Sequence, residues 1–149
     1  MENKVLPQKA LFDTIDSFLG EGKRVAFIPE GRSMLPFIRG GRDSVVLARP
    51  DRPLEVGDIV LVHIHKEYVL HRIRASEGGE LLLMGDGNLG QKERCKPSEV
   101  LGIVTEIVKA DGRRVKPGKG SLWRMLLPVR PLLLAILKRT VFKQDFKDR

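Results

Sequence analysis

Apolar residues recur at helical spacing near the two ends of the chain, whereas between them they alternate or cluster in short runs. Ala10, Leu11, Ile15, Phe18 and Leu19 fall at helical spacing between Pro7 and Gly20, which predicts one short amphipathic helix over residues 7–20. From Arg24 to Val115 the texture changes to β-branched runs separated by glycine, proline and aspartate, and strands are expected at 24–28, 44–48, 58–64, 68–74, 80–84, 100–109 and 113–115. Alternation is clearest over Ile59–His65, where residues 60, 62 and 64 belong to one face and 61, 63 and 65 to the other. Lys116–Gly120 reads as a turn or linker, and Ser121 as the N-cap of a helical stretch holding Leu122, Met125, Leu126, Val129, Leu133, Ile136 and Leu137. Pro128 and Pro131 are expected to kink that stretch or split it. The prediction is a mainly β protein: an N-terminal helical segment (1–22), a compact, mostly antiparallel β domain (23–116) and a basic, apolar C-terminal helical segment (117–149).

Composition narrows the function classes more than it chooses among them. The chain has 149 residues, enough for one core, and a formal net charge of +8 from 27 Lys and Arg against 19 Asp and Glu. That balance suits nucleic acid, anionic membrane or an acidic partner, but no zinc-finger spacing or recognition-helix pattern accompanies it, which argues against nucleic acid. The single cysteine, Cys95, cannot form an internal disulfide or a cysteine-based zinc site. The first residues lack both the basic start and the apolar run of a signal peptide, and no apolar stretch is long enough to span a membrane, so the expected location is the cytoplasm.

Three polar clusters interrupt the β region. Gly31-Arg32-Ser33-Met34-Leu35-Pro36 is a tight turn able to present a hydroxyl, His71 interrupts the apolar run Val69-Leu70-His71-Arg72-Ile73, and Gly85-Asp86-Gly87-Asn88 follows Leu81–Met84. Each has an ordinary structural reading: a serine turn, a hydrogen-bonded buried histidine, and an Asp-Gly hairpin. A serine hydroxyl is a poor nucleophile unless a base takes its proton, so the first two matter chemically only as a pair.

In order along the chain, Ser33-Met34-Leu35-Pro36, Gly57-Asp58-Ile59-Val60, His71-Arg72-Ile73 and Gly85-Asp86-Gly87-Asn88 resemble the motif set of type I signal peptidases and LexA-type self-cleaving repressors. The resemblance covers residues 24–108. It implies a serine endopeptidase with Ser33 as nucleophile and His71 as general base, the histidine variant being that of archaeal and endoplasmic-reticulum signal peptidases. It also implies that Asp86 orients the imidazole, that Gly31 and Met34 lie at the substrate and oxyanion positions, that no cofactor or metal is needed, and that a peptide or precursor protein is the substrate. The histidine-type enzymes carry a further aspartate a few residues after the Gly-Asp pair. Here that position is Lys92, beside Glu93, which leaves the third catalytic residue open between Asp86, Glu93 and none. No N-terminal membrane anchor like that of signal peptidases is expected from these residues, which suggests either a cytoplasmic substrate or another route to the membrane.

Three alternatives stand beside this reading, and the C-terminal segment leaves a separate choice. Self-cleavage requires a scissile Ala-Gly or Cys-Gly dipeptide, and the sequence contains neither. A metal enzyme would draw on His63 and His65, two apart on one strand, with His71 nearby. A catalytically inactive, peptidase-like binding module is favoured by Lys92 at the aspartate position. Finally, residues 121–143 interleave apolar side chains with Arg124, Arg130, Lys138 and Arg139, which suits either a helix lying on an anionic membrane surface or one packed on the β core or a second subunit.

Overall fold

The helical spacing near the N-terminus gives α1 (Gln8–Gly20) in the computed structural model, which describes residues 8–120 and 130–147. Its inner face is Phe12, Ile15 and Leu19, with Leu11 at the margin. Phe18, expected on that face, is exposed instead and lies under the Lys23 ammonium, 5.1 Å from the ring centre. Among the described residues eight strands follow: β1 (Val25–Phe27), β2 (Ser44–Ala48), β3 (Ile59–Ile64), β4 (Glu67–Glu77), β5 (Glu80–Gly85), β6 (Asn88–Cys95), β7 (Val100–Val108) and β8 (Arg114–Val115). A short 3-10 turn, Pro97–Glu99, joins β6 to β7, and α2 (Arg130–Lys147) closes the described chain. Pro131 falls in the first turn of α2, where its missing N–H costs nothing. The expected N-cap Ser121 and apolar positions 122–129 lie outside the described residues.

The strands form one curled antiparallel sheet in the order β1-β2-β7-β3-β4-β5-β6, with β8 beside β7. The protein is therefore mainly β, as expected, but β6 was not anticipated. Its residues, Asn-Leu-Gly-Gln-Lys-Glu-Arg-Cys, lack an apolar alternation, and what makes them a strand is pairing with β5 across the Asp86-Gly87 turn. The β3–β4 connection is a two-residue turn in which His65 and Lys66 both have positive φ, at 48° and 65°. His65 thus leaves the strand on which it was expected.

Both faces of β3 are covered, which is why it reads as a nearly continuous apolar run. Ile59 and Leu61 enter a core with Phe12, Ile15, Leu19, Met34, Val45, Leu47, Val104 and Ile107. Val60, Val62 and Ile64 enter a second with Ile73, Leu81, Leu83 and Cys95. At the first core Tyr68 stacks between Phe12 and His63, with ring centres 4.8 and 4.2 Å away, and donates its hydroxyl to Asp13 at 2.6 Å. Among the described residues no helix is long and apolar enough to cross a membrane.

Candidate active site

Strand parity decides which polar side chains can meet. In β3 and β4, Val60 pairs with His71 and Ile59 with Arg72, so His71 faces the second core and Arg72 the first. Ile73 pairs with Leu83 and Leu83 with Glu93, which puts His71, Ile73, Leu83 and Glu93 on one face of the sheet. Lys92 pairs with Met84 and belongs to the other face. The residue beside His71 is therefore Glu93, one place along from the position that the motif comparison selects.

Glu93 Oε2 lies 2.8 Å from His71 Nδ1, and the imidazole is only 6% exposed. A carboxylate can only accept, so Nδ1 carries the proton and, in the neutral ring, Nε2 keeps its lone pair. His71 Nε2 and the backbone of the serine turn both lie close to Gly85. A Cβ placed on Gly85 would lie 3.1 Å from His71 Nε2 and 2.3 Å from the Ser33 carbonyl oxygen. The histidine and the serine backbone thus converge on one point from which a side chain is excluded.

The serine turn packs closely on the Gly85–Gly87 turn. Gly31 has φ +87°, a left-handed conformation that favours glycine, and the space beside it is open. Ser33 is partly exposed, while Met34 beside it is buried in the first core, so its side chain anchors the turn and is withdrawn from the substrate position assigned to it. The amide of Gly87 donates to the Ser33 carbonyl at 2.8 Å. A Cβ on Gly87 would stand 2.4 Å from the Arg32 carbonyl oxygen, so this glycine too is required by close packing. The far end of the segment is tied down where the buried Asp43 accepts from the Arg39 amide at 2.8 Å and from Lys109 at 3.2 Å.

Asp86 does not take the orienting role expected of it. It is 4% exposed and engages Arg72, itself 3% exposed, through Nε–Oδ1 and Nη2–Oδ2 bonds that are both 2.9 Å. The guanidinium also donates to the carbonyls of Gly57 at 2.8 Å and Gly118 at 3.0 Å, and lies over the Phe37 ring. A buried arginine with bidentate partner and further acceptors is well satisfied, and removing either member of such a pair costs about 3–5 kcal/mol. The pair joins the histidine strand to the turn that contacts Ser33.

The Gly57-Asp58 motif is likewise structural. Gly57 has φ +99° and stands against Lys119, where a Cβ would meet backbone and side chain at 2.8 Å. Asp58 accepts from Arg52 at 2.8 and 2.9 Å, from the Glu55 amide at 2.8 Å, and from Lys119. Burial pushes this carboxyl upward, but the Arg52 and Lys119 hydrogen bonds, with the Glu55 amide, bring it down to about 2. Residues 118–120, part of the segment 116–120 expected as a turn or linker, are thereby fastened to the β domain. Beyond them α2 returns to the serine turn: Leu134 packs with Leu35, and Lys138 Nζ donates to the Gly87 carbonyl at 3.0 Å. For these two residues the packing alternative for the C-terminal segment is the one observed.

The three histidines do not converge. His63 is on the face of β3 opposite His71 and stacks on Tyr68, and His65 sits in the turn. Among the described residues no group of three or more His, Cys, Asp or Glu side chains is placed to hold a metal ion. Comparison of the chain with protein-family models and with curated proteins finds no match in either.

Proposed function

We propose that this protein is a serine endopeptidase of the signal-peptidase and LexA type, with Ser33 as nucleophile, His71 as general base and Glu93 as the carboxylate that orients the base. The observation that carries the proposal is the convergence of the Ser33 turn and His71 Nε2 at Gly85, with the opposite ring nitrogen held by Glu93 at 2.8 Å. The approach of the serine turn to a buried histidine whose other ring nitrogen is held by a carboxylate supports this reading.

In this reading the Ser33 hydroxyl attacks the scissile carbonyl carbon while its proton passes to His71 Nε2. Glu93 stabilises the resulting imidazolium, and backbone N–H groups of the Gly31–Ser33 turn face the developing oxyanion. The tetrahedral intermediate collapses to an acyl-serine, the amine leaves with the proton from His71, and water activated by the same base releases the acid. The substrate is a peptide or precursor protein. Glu93, not Lys92, shares the sheet face of His71, which supports the active reading over the inactive-module alternative.

The test is reaction of the full chain with a fluorophosphonate, followed by peptide mapping. Ser33 is expected to be labelled, and His71→Ala to slow labelling by on the order of 10³-fold. Labelling of Ser33 at equal rates with and without His71, or no labelling of the native protein, would end the proposal.

A further inference from the structure

We infer that α2 is a positioning element of this site, acting through Lys138 and Leu134 to hold the Ser33 turn against the strand that carries His71; the inference rests on the serine-peptidase reading. The Ser33 turn lies in the irregular segment between β1 and β2, so no ladder of strand hydrogen bonds holds it in place. One tether of the turn to the sheet is the Gly87 amide, which donates to the Ser33 carbonyl at 2.8 Å. Lys138 donates to the carbonyl of that same glycine at 3.0 Å. Leu134, 4% exposed, packs with Leu35, two residues from Ser33. Two side chains one helical turn apart thus grip both partners of the contact, one through the serine turn and one through the Gly85–Gly87 turn.

The chemistry of Lys138 is suited to this. A lysine near a surface ordinarily sends its ammonium to water, and turning it onto a backbone carbonyl restricts a flexible side chain in exchange for a charge-assisted hydrogen bond. Both backbone groups of Gly87 are thus engaged, its amide by Ser33 and its carbonyl by Lys138. Because Gly85 and Gly87 pack on the serine turn without room for a Cβ, a small displacement of either turn alters the approach of Ser33 to His71 Nε2. Lys138 and Leu134 touch neither substrate nor the reacting atoms and act only through this contact.

The experiment uses the full-length protein and two readouts: the second-order rate of fluorophosphonate labelling at Ser33 as a function of pH, and hydrogen exchange of the Gly87 amide. For Lys138→Met the labelling rate is expected to fall about tenfold at every pH, with the midpoint of the pH profile unmoved because the base is untouched, and Gly87 exchange to accelerate by a similar factor. Lys138→Arg, which keeps a charged donor, is expected to remain within about twofold of the native protein. Leu134→Ala gives an independent perturbation of the same contact and should act in the same direction. Native labelling rate and native Gly87 exchange in both Lys138→Met and Leu134→Ala would overturn the inference while leaving the Ser33–His71 reading intact. Failure of the native protein to label would instead remove the peptidase reading, and the exchange of Gly87 would then show whether α2 fixes the turn.

Discussion

Replacing Gly85 by alanine probes the central geometry with a single methyl group. The added Cβ would stand 2.3 Å from the Ser33 carbonyl oxygen, where ordinary van der Waals contact begins at 3.4 Å. Relief of the clash requires the serine turn and β5 to separate by roughly 1 Å, a displacement that costs about 10²-fold in rate when it falls between a nucleophile and its base. The same crowding is expected to lower stability by about 1–3 kcal/mol, the usual range for an overpacked contact. One control isolates backbone strain away from the site. Gly112→Ala imposes φ +89° in the β7–β8 connection, with open space around the new methyl group. The assay is the fluorophosphonate labelling rate at Ser33 together with urea unfolding of each variant. Gly85→Ala should lose labelling by about two orders of magnitude while remaining folded, and Gly112→Ala should lose stability alone. Labelling of folded Gly85→Ala at the native rate would refute the claim that Ser33 and His71 react across this glycine.

Two further outcomes follow from individual carboxylates. Glu93→Gln keeps the shape beside His71 but removes the charge that stabilises the imidazolium, so labelling and turnover should fall by about 10²–10⁴-fold with little change in unfolding midpoint; a rate loss equally large for Asp86→Asn, with Glu93→Gln near native, would return the orienting role to Asp86. Asp58, held down to about 2 from the ordinary 3.8, stabilises the folded state by at most about 2 kcal/mol above pH 4, and that contribution is lost as the pH falls toward 2. Urea unfolding between pH 2 and 6 should show this slope in the native protein and a flatter one in Asp58→Asn; identical slopes would remove Asp58 from the acid transition.

Much of the architecture was legible because burial writes itself into short periods. The apolar run of β3, the alternation of its faces, the N-terminal helix and the Asp-Gly hairpin turn all depend on residues near one another in sequence, and their patterns survive without tertiary information. Ser33 and His71 were also legible as chemical types, one in an exposed turn and the other inside an apolar strand. What local pattern could not decide was register and partner. β6 is polar and becomes a strand by pairing with β5, so beyond the hairpin turn itself its own residues gave no strand pattern. The choice between Lys92 and Glu93 depends on a one-residue shift that exchanges the two faces of a strand, and it is set by the β5–β6 pairing rather than by the spacing of motifs. In the same way Asp86 looked like the natural companion of His71, but parity places Arg72 on the opposite face, and a buried guanidinium must have a carboxylate. The glycines at 85 and 87 could be read as turn formers from the chain alone. That they also leave room for the serine turn follows only from the fold, because close approach is a property of two distant segments and neither one encodes it by itself.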